Sequence, residues 1–271
     1  MALLQIGIQR QGEAAEITGT SSNNFFASRS LPPEDSRLLS FSPPVRTEEV
    51  PYLLFGPTNS SGDTVRWFRR VMGEEQEREK INGTDRKTIY DVYEQMVGSS
   101  CAGSRGLFFY PYLMGERAPL WSNSVRGMYL GVTALTTRSD MLRAIYEGNA
   151  YALKEICCEA QRAGSAIEKM KIAGGCANSL QWLKIKASVL NKPVTVAQEL
   201  SGAPKGGAML AGYALGVYNS IQEAYEVLKS PEREVEPVPE WSRIYEERYP
   251  LFLKMRNRLL EDYQELEQLE S

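Results

Sequence analysis

Lys171–Leu190 reads KIAGGCANSLQWLKIKASVL, and Pro193–Gly216 reads PVTVAQELSGAPKGGAMLAGYALG. Each stretch runs from an apolar strand through a glycine-rich turn into a helix. A glycine lets backbone N–H groups approach a ligand with no Cβ in the way, and a helix N-terminus adds unsatisfied donors and partial positive charge. The two units together predict an α/β fold with a phosphate cradle at its turns.

Working outward, Ala14–Thr20 reads as a short strand, followed by a small hydroxyl turn and the apolar Asn24–Ala27, which has the shape of a hairpin. Pro32, Pro33, Pro43 and Pro44 predict a loop or irregular edge over 29–50. A strand at Tyr52–Phe55 leads through Asn59-Ser60-Ser61-Gly62-Asp63 into a helix over about 64–72. Residues 73–86 are polar and are expected to form a solvated insertion. A helix near Ile89–Met96 and a strand at Leu107–Tyr110 precede the loop PYLMGERAPLWSNSVRG, which is too polar for core and long enough to suggest a function. In the helix over 138–163, Met141, Ile145, Gly148, Ala152 and Ile156 recur on one face, and Ser139 is placed to cap it. From Pro237 the character changes, and Tyr245–Leu269 predicts a charged amphipathic helix packing back on the body.

Composition removes several classes of function. A chain of 271 residues, 42% hydrophobic and 24% charged, can bury one large domain, or one domain with an appendage. No apolar run reaches the ~18 residues of a membrane span, and Met1–Arg10 lacks a basic segment followed by an apolar one, so a cytoplasmic protein with no membrane partner is expected. A net charge of -3 offers no footprint for nucleic acid. With His 0 in the sequence, histidine-based triads and zinc sites drop out. Cys101, Cys157, Cys158 and Cys176 form no C-x-x-C pair and read as free thiols.

Each glycine turn has a plainer reading. Gly174–Ser179 fits a tight turn with Asn178 or Ser179 as helix cap, Gly206-Gly207-Ala208 fits close helix packing, and Glu116-Arg117 fits a surface ion pair. What favours a cradle is that Thr18–Ser22, Gly174–Ser179 and the 202–208 turn each follow a strand.

The segment GMYLGVTALTTRSDMLRAIYE, Gly127–Glu147, resembles the signature of the FGGY carbohydrate kinases, with Gly127, Gly131, Asp140, Ala144 and Glu147 in step. PYLMGERAP (Pro111–Pro119) resembles the PYLSGERTP of xylulokinase-like members, and Gly19-Thr20-Ser21 resembles the family's phosphate-binding turn. The resemblance covers about residues 1–225 and implies an actin-like, ribonuclease-H-like ATPase fold, this chain being the C-terminal domain, with 226–271 as a helical tail on the same domain. It implies ATP and Mg²⁺ as cofactors, with Gly19, Thr20 and Ser21 facing the phosphates, Gly62 near the nucleotide, Gly174 in the nucleotide turn and Gly175 with Ser179 bordering the adenosine. Glu116 and Arg117 would belong to a substrate loop. Phosphoryl transfer is mainly positioning and charge neutralisation, which such a cradle suits.

Two departures stand out: Ser22 replaces the glycine after the Gly-Thr-Ser turn and Cys176 replaces the third glycine of the next, so each is expected to crowd a close approach. Cys176, beside a helix N-terminus, is expected to have a depressed thiol pKa. In the family the base that accepts the sugar proton is an aspartate upstream of the first turn, yet Met1 stands only 18 residues before Gly19. The sugar-binding N-terminal domain is therefore expected to be missing, with 1–11 the remnant of an interdomain helix, and the exposed face is expected to drive homo-oligomerisation. Asp63, Glu116 and Asp140 are the carboxylates on offer as a substitute base. Three readings stay open: half of a sugar kinase, a non-catalytic nucleotide-binding module, and a structural domain.

Overall fold

The computed structural model describes residues 2–43, 46–73, 89–197 and 203–270. Apart from Gly73, the polar insertion expected at 73–86 lies outside the described residues, as do Pro44, Ser201 and Gly202. The rest of the expected second glycine turn is not a turn, since Gly206 and Gly207 stand inside a helix over Ala203–Ala214.

A short helix, α1 (Ala2–Ile6), is closed by Lys171, whose Nζ donates to the carbonyls of Ile6 at 2.9 Å and Gly7 at 2.8 Å. Strands β1 (Gly12–Thr18) and β2 (Ser22–Ser28) form the expected hairpin, with Thr18 opposite Ser22. β3 (Leu39–Phe41) and β4 (Tyr52–Pro57) extend the sheet, and β4 runs into α2 (Gly62–Met72), which buries Val65 and Phe68. Helix α3 (Ile89–Ser99) buries Ile89, Tyr93 and Val97, a strict four-residue spacing on one face. β5 (Phe108–Tyr110) and β6 (Met128–Leu130) pair as a separate ribbon across the long polar loop.

The axis of the core is α4 (Arg138–Arg162). Its cap is Thr137, not Ser139, which lies inside the helix: Thr137 Oγ1 accepts from the Asp140 N–H at 3.2 Å and Asp140 Oδ2 accepts from the Thr137 N–H at 2.9 Å. A capping box needs a hydroxyl three residues before an acid, and only Thr137 has that spacing to Asp140. Thereafter come β7 (Ile167–Gly174), a 3-10 turn over Gly175–Asn178, α5 (Leu180–Leu190), β8 (Val194–Ala197), α6 (Ala203–Ala214) and α7 (Ile221–Leu228). The chain ends in β9 (Glu232–Val235), α8 (Pro239–Arg258) and α9 (Leu260–Glu270).

Among the described residues the main sheet has the order β3-β4-β2-β1-β7-β8-β9. β7 pairs in parallel with both β1 and β8, the other neighbours being antiparallel. Parallel strands need a long crossover, and α5 supplies it between β7 and β8. β2 is buried along almost its whole length, so its consecutive Phe25, Phe26 and Ala27 are accompanied by buried polar residues, Asn24 Nδ2 donating to Gly56 O at 2.8 Å and Ser22 Oγ to Glu16 Oε1 at 2.7 Å. Phe26 and Phe68 are fully buried, each stabilising the fold by about 1.5–3 kcal/mol.

The tail differs from its reading in sequence. β9 is a charged edge strand, EREV, that pairs with β8, and the boundary expected at 225 falls inside α7. Helix α8 starts at Pro239, where the ring's fixed φ suits a first turn, so Trp241 lies within a helix and does not mark a break. α8 is bolted to α4 by a buried polar cluster: Arg143 Nε donates to Glu147 Oε1 at 2.8 Å, Arg143 Nη2 to the Tyr245 hydroxyl at 2.9 Å, and that hydroxyl to Glu147 Oε1 at 2.8 Å. Phe252 stacks on Tyr110 with centroids 4.5 Å apart. No helix among the described residues is long and apolar enough to cross a membrane.

Candidate functional site

The parallel register of β1 and β7 sets Thr18 beside Gly174, so the 19–21 turn and the 175–178 turn emerge together at one edge of the sheet. Ligands of open α/β sheets bind at such carboxyl ends. Gly174 is required by packing: its φ is +88° and a Cβ there would lie 2.0 Å from the Thr18 carbonyl. Gly62 is similar, since a Cβ would meet the Gly19 carbonyl at 2.3 Å. The first N–H groups of α2 are spent on the hairpin turn, Gly62 donating to Gly19 O at 3.1 Å, and Ser61 and Asp63 to Thr20 O at 3.0 and 3.2 Å. The Gly62 N–H is thus a clasp for the turn, and the reason for that glycine is contact with Gly19. Gly19 and Gly175 are different, because the nearest atoms to a Cβ are 3.8 and 4.0 Å away.

Between these turns and helices α2, α3 and α5 lies a cleft of about 750 Å³. One wall is Thr18, Gly19, Thr20, Gly62 and Arg66; the other includes Tyr90, Asp91, Glu94, Asn178, Ser179 and Leu180, with Gly175 between. Arg66 is exposed and its Nη2 donates to Thr20 Oγ1 at 2.7 Å, which places a guanidinium at the hairpin turn. Tyr146 and Trp182, stacked at 4.5 Å, line the cleft from α4 and α5. Of the residues expected at the site, Gly19, Thr20, Gly62, Gly175 and Ser179 come together here. Gly174 faces a neighbouring cavity of about 310 Å³ instead, and Ser21 does not line the cleft.

Ser179 is the N-cap of α5, accepting from the Trp182 N–H at 3.1 Å, and its hydroxyl donates to Glu94 Oε2 at 2.5 Å. Glu94 Oε1 accepts from the Gln181 N–H at 2.6 Å.

Beneath the cleft runs a buried chain of polar groups that absorbs both departures from the family pattern. Lys186 Nζ donates to Glu16 Oε2 at 2.5 Å, Ser22 Oγ donates to Glu16 Oε1 at 2.7 Å, Cys176 Sγ donates to Thr18 Oγ1 at 2.9 Å, and Lys186 Nζ lies 3.5 Å from Cys176 Sγ. Glu16 is 2% and Lys186 0% exposed. Ser22 and Cys176 therefore serve a buried ion pair; Cys176 also lines the cleft, whereas Ser22 does not. The expected depression of the Cys176 thiol is also corrected: complete burial pushes it up, against the pull of Lys186.

Glu116 and Arg117 lie outside the cleft lining and form no surface ion pair. Glu116 is 2% exposed, and its Oε1 accepts from the N–H groups of Asn59 at 2.7 Å and Arg117 at 2.8 Å, while Arg117 Nη2 donates to Thr58 O at 2.5 Å. Burial pushes the Glu116 carboxyl up to about 8 in spite of these bonds. The pair ties the long loop to the turn that opens α2.

Two residues of the cleft are not evident from sequence reasoning. Arg66 stands four residues after Gly62 on the same helix face, a spacing that could have flagged it. Glu94 meets Ser179 across 85 residues of sequence, and nothing local announces that.

Residues 14–215 match the C-terminal domain of the FGGY family of carbohydrate kinases. The chain belongs to that family. Among its FGGY relatives it is 29% identical to a xylulose kinase of Staphylococcus epidermidis over 74% of this chain and 38% of the relative, and 28% identical to a gluconokinase of Bacillus subtilis over 96% and 49%. The chain spans about half the length, or less, of the curated relatives it matches. Among solved FGGY structures, xylulose kinase from Lactobacillus acidophilus superposes with a TM-score of 0.82 at 24% identity, covering 98% of this chain and 51% of that one. Gluconate kinase from Lactobacillus acidophilus gives 0.80, also at 24% identity, over 98% and 51%. The fold is thus the actin-like, ribonuclease-H-like α/β fold of the FGGY kinases.

Proposed function

We propose that the cleft binds ATP as its Mg²⁺ complex, and that the chain contributes the nucleotide-binding half of a kinase acting on a sugar such as xylulose or gluconate. The observation that carries this is the pairing of Gly19 and Gly175, where a Cβ would meet nothing nearer than 3.8 and 4.0 Å, with the exposed Arg66 guanidinium at Thr20. Open backbone beside a fixed cation suits a polyphosphate. The cleft volume falls within the range of small-molecule sites. Among the described residues no group of three His, Cys, Asp or Glu side chains converges as a metal cage, so Mg²⁺ would be held chiefly by the phosphates, where it neutralises their charge. Ser21 and Gly174 would support the two turns from behind.

A second reading, a nucleotide-binding module without chemistry of its own, is favoured by the state of the three carboxylates offered as a base. Asp63 accepts from Ser60 Oγ at 3.1 Å and the Ser61 N–H at 2.9 Å, Asp140 is held in the α4 cap with Ser100 Oγ at 2.6 Å, and Glu116 is buried in its loop. In the kinase reading a sugar-binding domain or partner chain supplies the base. The two readings separate on turnover: both give Mg²⁺·ATP binding in calorimetry, and ADP release from ATP and xylulose by this chain together with an FGGY N-terminal domain supports the first, while its absence supports the second. Self-association is a further proposal, resting on Tyr213, Leu215 and Val217, which are 49%, 81% and 66% exposed at the end of α6. Sedimentation that stays monomeric at high concentration counts against it.

A further inference from the structure

Helix α5 opens directly onto the cleft, and its N-terminus would ordinarily attract an anion. That position is already filled from within. Glu94 reaches across from α3 and spends both oxygens there, Oε2 on the Ser179 hydroxyl at 2.5 Å and Oε1 on the Gln181 N–H at 2.6 Å, while Ser179 Oγ takes the Trp182 N–H at 3.1 Å. A phosphate brought to this end would compete for occupied donors and face a fixed carboxylate. At the hairpin end Arg66 is held by Thr20 at 2.7 Å, and Gly19 leaves its Cβ position open. The α5 wall also carries Leu180, 41% exposed, an apolar face for a flat ring, with the stacked Tyr146 and Trp182, themselves buried, lining the same cleft.

We infer that Glu94 enforces the direction of the nucleotide that the family resemblance implies: as a built-in anion it bars phosphates from the N-terminus of α5 and so keeps the polyphosphate at Thr20 and Arg66, with the base toward α5. This rests on the reading of the cleft as a nucleotide site. Glu94 is a positioning residue, acting by charge through the helix end it occupies.

The test uses the full chain with Mg²⁺, titrated calorimetrically with ATP and with inorganic tripolyphosphate. Arg66→Met lowers tripolyphosphate affinity by roughly tenfold or more. Adding Glu94→Gln to Arg66→Met restores most of that loss, because the α5 end then accepts the anion, with a gain of about tenfold. Ser179→Ala keeps the Glu94 charge while removing one of its hydrogen bonds and gives no such gain, which a merely structural role for Glu94 would not distinguish. If glutamine alters the melting temperature, Glu94→Met reads the same loss of charge. ATP binding to the wild type together with unchanged tripolyphosphate affinity in the folded Glu94 variants overturns the inference alone; no ATP binding to the wild type overturns the nucleotide reading and the inference with it.

Discussion

Replacing Lys186 with methionine removes the cation of a fully buried pair while nearly preserving its volume. Glu16, 2% exposed, would keep the Ser22 hydroxyl but lose its charge partner at 2.5 Å, and Cys176 would lose its neighbour at 3.5 Å. Breaking a buried pair from one side typically costs about 3–5 kcal/mol, because an uncompensated charge is left in the interior. Against a total stability of roughly 5–15 kcal/mol this is a large fraction, equivalent to a fall of about 10 °C or more in melting temperature. Replacing both partners, Glu16→Leu with Lys186→Met, leaves no charge to solvate and should recover most of the loss. Urea unfolding of the wild type, both singles and the double gives the coupling directly, with unchanged slopes confirming that the unfolded states are comparable. A Lys186→Met cost below about 1 kcal/mol, or a double variant as unstable as the summed singles, would refute the picture of one interdependent network.

Gly62→Ala should destabilise by about 1–3 kcal/mol in urea, since its Cβ would lie 2.3 Å from the Gly19 carbonyl and must push α2 off the hairpin turn; wild-type stability in that variant would count against the clasp. Glu116 gives a pH signature: its folded pKa is raised from 4.5 to about 8, so in that window the native state binds more protons than the unfolded one and stability falls as pH rises, by up to about 5 kcal/mol. Glu116→Gln should remove that slope between pH 5 and pH 8, and an identical slope in both proteins would show that burial of this carboxyl is not its source. In the folded chain iodoacetamide should label the exposed Cys101 and Cys158 well before the buried Cys176, with peptide mass spectrometry as the readout and early labelling of Cys176 as the contrary result.

Much of the fold was legible because it is written in local patterns. The strand, glycine turn and helix at Lys171–Leu190 appear as read, and Gly174 is indeed a position where only glycine fits, though the atom it must avoid is the Thr18 carbonyl and not a ligand. The Gly127–Glu147 signature identified the family, yet its acidic residues prove structural: Asp140 closes a capping box and Glu147 accepts from the Gly103 N–H at 2.9 Å and Ser104 Oγ at 2.8 Å. What escaped sequence reading was long-range. β9 is an edge strand whose exposed Glu and Arg side chains hide it, and the Glu94–Ser179 contact joins helices far apart in the chain. Ser22 and Cys176 look like defects in isolated motifs and make sense only beside Glu16 and Lys186, which no spacing rule connects.

The most direct test of the central claim is calorimetric titration of the chain with Mg²⁺·ATP, wild type against Gly175→Val. A Cβ there would make only ordinary contact, 4.0 Å from the nearest atom, on a residue that lines the cleft, so the melting temperature should hold while the side chain enters the cleft. Saturable binding to the wild type, weakened by roughly tenfold or more in the variant, is the expected result. Absence of binding to the wild type at millimolar nucleotide, or equal affinity in an intact Gly175→Val protein, would contradict the assignment of this cleft.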